Sequence, residues 1–178
     1  MNTLSIDIQT KAKDIRVLLL DVDGVLTDGG LYFTEDGETS KRFNTLDGHG
    51  LKLLKSVGIE PVIITGRDSA ALRARLNALT IQHAHFGVED KRSAAQSALQ
   101  SLGMTWAQTA AMGDDWPDLP MLMPSALSFA PPSAHSEVLA RVSWVTQASA
   151  GHGAVREVCD VLLQAGGFYG KLLNEVLA

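Results

Sequence analysis

An α/β fold, Rossmann-like, with a mostly parallel sheet flanked by helices, is what this sequence predicts, and three observations carry it. Short apolar runs alternate with helical patterns along most of the chain, the mark of a parallel sheet with crossover helices. Three polar clusters fall where apolar runs stop: Asp21/Asp23, Thr65-Gly66-Arg67 and Gly113-Asp114-Asp115. One segment breaks the alternation and reads as a small β-hairpin. Ligands of open parallel sheets sit outside the carboxyl ends of the strands, at the switch point, so these clusters are expected to face one another.

The elements follow in order. "IRVLLL" (15–20) reads as a buried strand. In "GGLYFTEDGETSKRFNT", the runs "LYFT" and "TSKRF" flank Asp36-Gly37, a good hairpin turn, which places a hairpin at about 30–43. "GHGLKLLKSVG" is a helix closing at Gly58, and "IEPVIIT" is a second buried strand. "DSAALRARLNAL" is an amphipathic helix capped by Asp68 or Ser69. "IQHAHF" is a short strand, "EDKRSAAQSALQSLG" a helix ending at Gly103, and "TAAMGDD" a strand running into acids. "ALSFA" and "VSWVT" are late strands, and "GAVREVCDVLLQAG" is a helix. The tail, about 166–178, starts with Gly166-Gly167 and turns apolar again, as a loose terminus or as an arm that packs on a neighbour.

A chain of 178 residues without repeats or low-complexity linkers is expected to form one domain, 1–178, with a substantial core. A net charge of −5 argues against nucleic acid or an anionic membrane as partner. No apolar stretch approaches the ~20 residues of a membrane helix, and "MNTLSIDIQTKAKD" lacks the apolar block of a secretory signal. The one cysteine, Cys159, excludes an internal disulfide and fits a cytoplasmic setting; its helical spacing among apolar neighbours makes it structural. His83 and His85 share a strand face but have no third ligand for zinc. Trp106 and Trp144 are assigned to the core, and Trp116 either packs or walls a pocket.

Asp21 at a strand end is costly to bury alone. A hard divalent cation removes that cost, because Mg²⁺ takes carboxylate oxygens and keeps several waters. Asp114 is the second ligand this implies, and Asp118 lies within reach directly or through water. Thr65 is placed to hydrogen-bond a phosphoryl oxygen or to cap the following helix. Lys91, near a helix start, pairs with both a phosphate and a carboxylate. Attack by Asp21 on phosphorus expels an alkoxide that needs a proton, and a water must later lose one. A second carboxyl two residues on, Asp23, serves both steps. Arg67 and Arg75, eight apart on one helix start, are expected near one face, where guanidinium groups suit a carboxylate. Asp115 is either a further site acid or purely structural.

In this order, "DVDGVLTD", "IITGR", Lys91 in "EDKRSA" and "GDDWPD" resemble the four motifs of the haloacid dehalogenase superfamily of phosphatases, from Val17 to about Asp118. A hairpin stands where other members insert a cap domain. "GGLYFTEDGETSKRFNTLDGHG" and "GHGAVREV" further resemble the capless 3-deoxy-D-manno-octulosonate 8-phosphate (KDO 8-P) phosphatase family, from about Ile15 to Gln164. The resemblance implies an Mg²⁺-dependent phosphomonoesterase that hydrolyses KDO 8-P through an aspartyl phosphate, in lipopolysaccharide precursor synthesis. It also implies a cytoplasmic homotetramer in which hairpins assemble centrally and a neighbour helps cover the site. Carried over by motif, Asp21 is nucleophile and metal ligand, and Asp23 is acid/base and offers its backbone carbonyl to the metal. Asp114 completes the protein ligands, with Asp118 nearby, and Thr65 and Lys91 hold the phosphoryl group. Asn44, Thr45, Leu46, Asp47 and Gly48, with Lys52, Gly66, Arg67 and Arg75, would meet the sugar acid. His152 and the "FGVED" before Lys91 depart from the family pattern. The alternatives are a phosphatase for a nine-carbon sialic-acid-type phosphate and a non-catalytic oligomerisation module. Intact Asp21, Asp23, Lys91 and Asp114 argue against the latter.

Overall fold

The computed structural model describes residues 6–35 and 37–178; residues 1–5 and Asp36, half of the expected hairpin turn, lie outside the described residues. The strands are β1 (Val17–Leu20), β2 (Tyr32–Thr34), β3 (Gly37–Ser40), β4 (Glu60–Ile64), β5 (His83–His85), β6 (Thr109–Met112), β7 (Leu127–Ala130) and β8 (Trp144–Val145). The helices are α1 (Ile6–Ala12), α2 (Thr45–Ser56), α3 (Ala70–Ala78), α4 (Lys91–Leu102), α5 (Leu119–Leu122), α6 (Ser136–Leu139), α7 (Ala154–Ala165) and α8 (Tyr169–Leu177). Among the described residues the main sheet has six strands in the order β5-β4-β1-β6-β7-β8. Every pairing in it is parallel. β2 and β3 form a separate antiparallel hairpin.

The central strand explains the layering. Side chains of a strand alternate between faces, so "VLLL" feeds two cores at once. Leu18 and Leu20 pack into one with α1, α2, α3 and α7. Val17 and Leu19 pack into the other with α4, α5 and α6. All four are fully buried, and each leucine so buried contributes about 1.5–3 kcal/mol, enough to anchor a strand whose last turn is polar. The chain leaves β1 for β4 on one side and returns to β6 on the other, so the switch point lies at the carboxyl end of β1.

Three elements depart from the sequence reading. Helix α2 starts at Thr45, not at Gly48, because Asn44 caps it by accepting the Leu46 amide; "NTLDG" is therefore largely its first turn. The polar start of the chain carries α1, whose Ile8 and Ala12 are buried. The tail after Gly167 is α8, packed on α7 and leaving Leu173, Val176 and Leu177 exposed. Cys159 is buried and free, as its spacing predicted.

Candidate active site

The residues at the carboxyl end of β1 surround a cavity of about 590 Å³ lined by Asp21, Asp23, Thr65, Gly66, Arg67, Lys91, Asp114 and Asp118, among others. Asp21 ends β1, with its amide donating to the Met112 carbonyl of the neighbouring strand. Thr65 follows β4, and its amide donates to the His85 carbonyl. Its hydroxyl accepts the Arg67 amide at 3.2 Å, while the cap of α3 is Ser69; the helix-cap alternative for Thr65 thus falls to Ser69. Lys91 opens α4 behind Asp90, which accepts the Arg92 and Ser93 amides. Asp114 and Asp118 belong to the loop after β6, where a 3₁₀ turn at Trp116–Asp118 folds the chain back.

Two glycines permit the close approach. Gly24 has φ +89°, and a Cβ there would sit 2.2 Å from Asp114 Oδ2. A Cβ on Gly113 would meet the Asp118 side chain, its Cβ at 2.4 Å and its Oδ2 at 2.6 Å. Only glycine fits either place without moving a site acid.

Lys91 Nζ donates to Asp21 Oδ1 at 2.7 Å and to Asp118 Oδ1 at 2.6 Å. The other Asp118 oxygen accepts the amides of Asp114 and Asp115 at 2.9 and 3.2 Å. Asp118 therefore braces the loop and the lysine together. Asp21, Asp114 and Asp118 each offer an oxygen within 4.8 Å of the others. One ammonium does not balance three carboxylates. Burial, then the charge of Asp118, pushes Asp21 up to about 6 despite Lys91. Burial, followed by Asp118, Asp21 and Asp115, pushes Asp114 up to about 8. Asp114 Oδ1 is buried and has no hydrogen-bond partner. Crowded hard oxygens, one of them orphaned, fit a divalent cation such as Mg²⁺. Asp115 caps the 3₁₀ turn by accepting the Trp116 amide, so it has a structural task at the cavity rim.

Asp23 is half-buried across the cavity. Its Oδ1 accepts from Lys41 Nζ at 2.5 Å, and Arg67 Nε stands 3.7 Å from Oδ2. Lys41 also pairs with Glu38 at 2.9 Å. Burial pulls the Lys41 ammonium down, but its hydrogen bond to Asp23 and the negative charges of Asp23 and Glu38 outweigh it and raise the pKa. Lys41 and Glu38 were missed by the sequence reading. The available signal was a Glu–x–x–Lys pair closing an otherwise exposed hairpin.

The expectation that Arg67 and Arg75 share a face is corrected. Ser69 caps α3 two residues after Arg67, so helical spacing does not link the two arginines. Arg67 lies in the loop and faces Asp23 and Glu38, while Arg75 donates from α3 to the Asn44 carbonyl at 3.0 Å. Asn44, Thr45, Leu46, Asp47, Gly48, Lys52 and Arg75 are not in the lining of this chain's cavity. Asp47 turns inward and accepts the Arg156 amide at 2.8 Å, tying α2 to α7. Burial raises its pKa against the hydrogen bonds from the Arg156 and Gly153 backbones. Gly48 packs under Arg75. Leu46 and Lys52 are exposed on α2. His152 stands 3.2 Å from Arg42 on the surface, and Trp116, more than half exposed, donates to His135 beside the cavity.

Strand-end acids, a threonine and a lysine gathered on a parallel sheet define a haloacid dehalogenase-like hydrolase, and a family model of that description matches residues 85–158. The chain is 42% identical to the 3-deoxy-D-manno-octulosonate 8-phosphate phosphatase KdsC of Escherichia coli over 164 residues, covering 92% of this chain and 87% of that one. The crystal structure of the phosphatase of the same name from Yersinia pestis superposes with a TM-score of 0.91 at 39% identity, covering 94% of this chain and 90% of that one. That of the Moraxella catarrhalis phosphatase, in complex with magnesium, phosphate and KDO, gives 0.92 at 36% identity, covering 96% and 98%. The chain belongs to the 3-deoxy-D-manno-octulosonate 8-phosphate phosphatase family. Among its described residues no helix is long and apolar enough to cross a membrane.

Proposed function

We propose that this chain hydrolyses KDO 8-P to KDO and inorganic phosphate through an aspartyl phosphate on Asp21. The observation that carries the reading is the Asp21–Lys91–Asp118 ion-paired triad beside Asp114 at the end of β1. The Asp21 carboxylate attacks phosphorus; its O–P bond forms as the ester P–O bond to the sugar breaks. Asp23 gives a proton to the departing oxygen and later takes one from the water that cleaves the aspartyl phosphate. Lys91 and Thr65 bind the phosphoryl oxygens, and Arg67 at the rim is available to a sugar carboxylate. Asp21, Asp114 and the Asp23 backbone carbonyl, with Asp118 close by, would hold Mg²⁺, which when bound supplies neutralising charge for the phosphoryl group.

In this proposal a neighbouring subunit of a homotetramer brings Asn44, Thr45, Leu46, Lys52 and Arg75 to the sugar acid, while the buried Asp47 and Gly48 hold that turn in place from behind. A cytoplasmic place in lipopolysaccharide precursor synthesis belongs to the same reading. The test is phosphate release by purified protein with Mg²⁺ across eight- and nine-carbon sugar acid phosphates. Highest kcat/KM on KDO 8-P is expected. Preference for the nine-carbon acid would replace the substrate, and no release from any phosphate ester would return the chain to a non-catalytic role.

A further inference from the structure

We propose that Lys41, at the end of the hairpin and paired with the cavity-lining Asp23, is the positioning residue that aims the Asp23 carboxyl at the proton it transfers. The proposal rests on the acid/base reading of Asp23 given above. Lysine is among the residues least often buried, and immobilising its long side chain costs rotamer entropy. Yet the side chain of Lys41 is 1% exposed, on an element whose strand residues are mostly exposed. It is fixed from two sides, by Asp23 Oδ1 at 2.5 Å and by Glu38 Oε1 at 2.9 Å. A lysine that merely kept a hairpin edge soluble would point into water.

The two oxygens of Asp23 are thereby made unequal. Oδ1 is held by the ammonium, whereas Oδ2 has Arg67 Nε at 3.7 Å, too long for a hydrogen bond. Oδ2 is the oxygen assigned to the proton. In the second half-reaction the water oxygen bonds to phosphorus, the bond from phosphorus to Asp21 breaks, and the water proton passes to Asp23 Oδ2. The ammonium of Lys41 keeps its own protons throughout and acts only through the orientation of Asp23. A misplacement near 1 Å in such a group can cost about a hundredfold in rate.

The experiment compares Lys41→Met, Lys41→Arg, Glu38→Gln and Asp23→Asn with the full-length enzyme. Substrates are KDO 8-P and p-nitrophenyl phosphate, whose leaving group departs without a proton. For Lys41→Met the expected result is a fall in kcat of about 10- to 100-fold with KM within about twofold, and aspartyl phosphate accumulating on acid quench with p-nitrophenyl phosphate. Lys41→Arg is expected to recover part of kcat, and Glu38→Gln to lose a smaller part. If Lys41→Met does not fold, the arginine and glutamine variants carry the test, and wild-type kcat in both overturns the proposal. It is also overturned by wild-type kcat in Lys41→Met, or by a kcat loss with no accumulated phosphoenzyme and no recovery by arginine. Asp23→Asn separates the two levels. Normal turnover there sinks the acid/base reading itself, whereas an inactive Asp23→Asn beside an unimpaired Lys41→Met sinks only the role of Lys41.

Discussion

Replacing Asp114 by asparagine should make the metal-free protein more stable while abolishing its activity. In the absence of a cation the folded state holds the Asp114 proton far more tightly than the unfolded chain, since burial and three neighbouring acids raise its pKa from 3.8 to about 8. A carboxyl raised in this way leaves stability intact below its unfolded pKa and erodes it as pH climbs through the folded one. At about 1.4 kcal/mol per pH unit the ceiling on that erosion is ~6 kcal/mol. The side chain is only partly buried, and solvent screening reduces this to about 2–3 kcal/mol. For a domain of this size each kcal/mol moves Tm by roughly 2–4 °C. Scanning calorimetry in EDTA should therefore show Asp114→Asn melting about 5–10 °C above the wild type at pH 8.5, with the gap closing towards pH 5. Adding Mg²⁺ should favour the wild type, because a ligand of the native state stabilises it by mass action. A variant melting at or below the wild type in EDTA at pH 8.5 would refute the electrostatic account of the cluster.

Asp23→Asn should lower kcat on KDO 8-P by about 10²–10⁴-fold, and acid quench should show whether aspartyl phosphate is trapped. Gly24→Ala forces a Cβ to within 2.2 Å of the Asp114 carboxylate at φ +89°; calorimetry should show a lower Tm, and isothermal titration should show weakened Mg²⁺ binding. Asp47→Ala leaves the Arg156 amide unpaired and should cost about 1–3 kcal/mol in urea unfolding. Arg67→Met should raise KM about tenfold for an acidic sugar phosphate, as loss of a charge-assisted pair worth ~1.5 kcal/mol predicts, and leave KM for a neutral sugar phosphate unchanged.

What could be read from the sequence follows from locality. Strand β1 and the acids after it were legible because a short apolar run ending in Asp-x-Asp states both burial and charge within a few residues. The same holds for Thr65 after β4 and Asp114 after β6. Lys41 was not legible, because its meaning depends on Asp23, 18 residues earlier in the chain. Arg75 was misplaced by a helical spacing that Ser69 interrupts. The structural task of Asp47 was not legible, because its partner, the Arg156 amide, is 109 residues away. Helix α1 escaped notice because its buried side is only Ile8 and Ala12, too thin a stripe to stand out against polar neighbours.

The hairpin's small size bears on which reaction wins. Strands of three and four residues cannot roof a cavity of 590 Å³, and Gly66, Arg67, Glu89 and Asp115 around its mouth are exposed in the single chain. In the single chain bulk water therefore has open access to Asp21, and in the reading proposed above an aspartyl phosphate there would meet water in large excess over any sugar alcohol. On that reading a mouth left this open favours release of phosphate over its transfer to another alcohol.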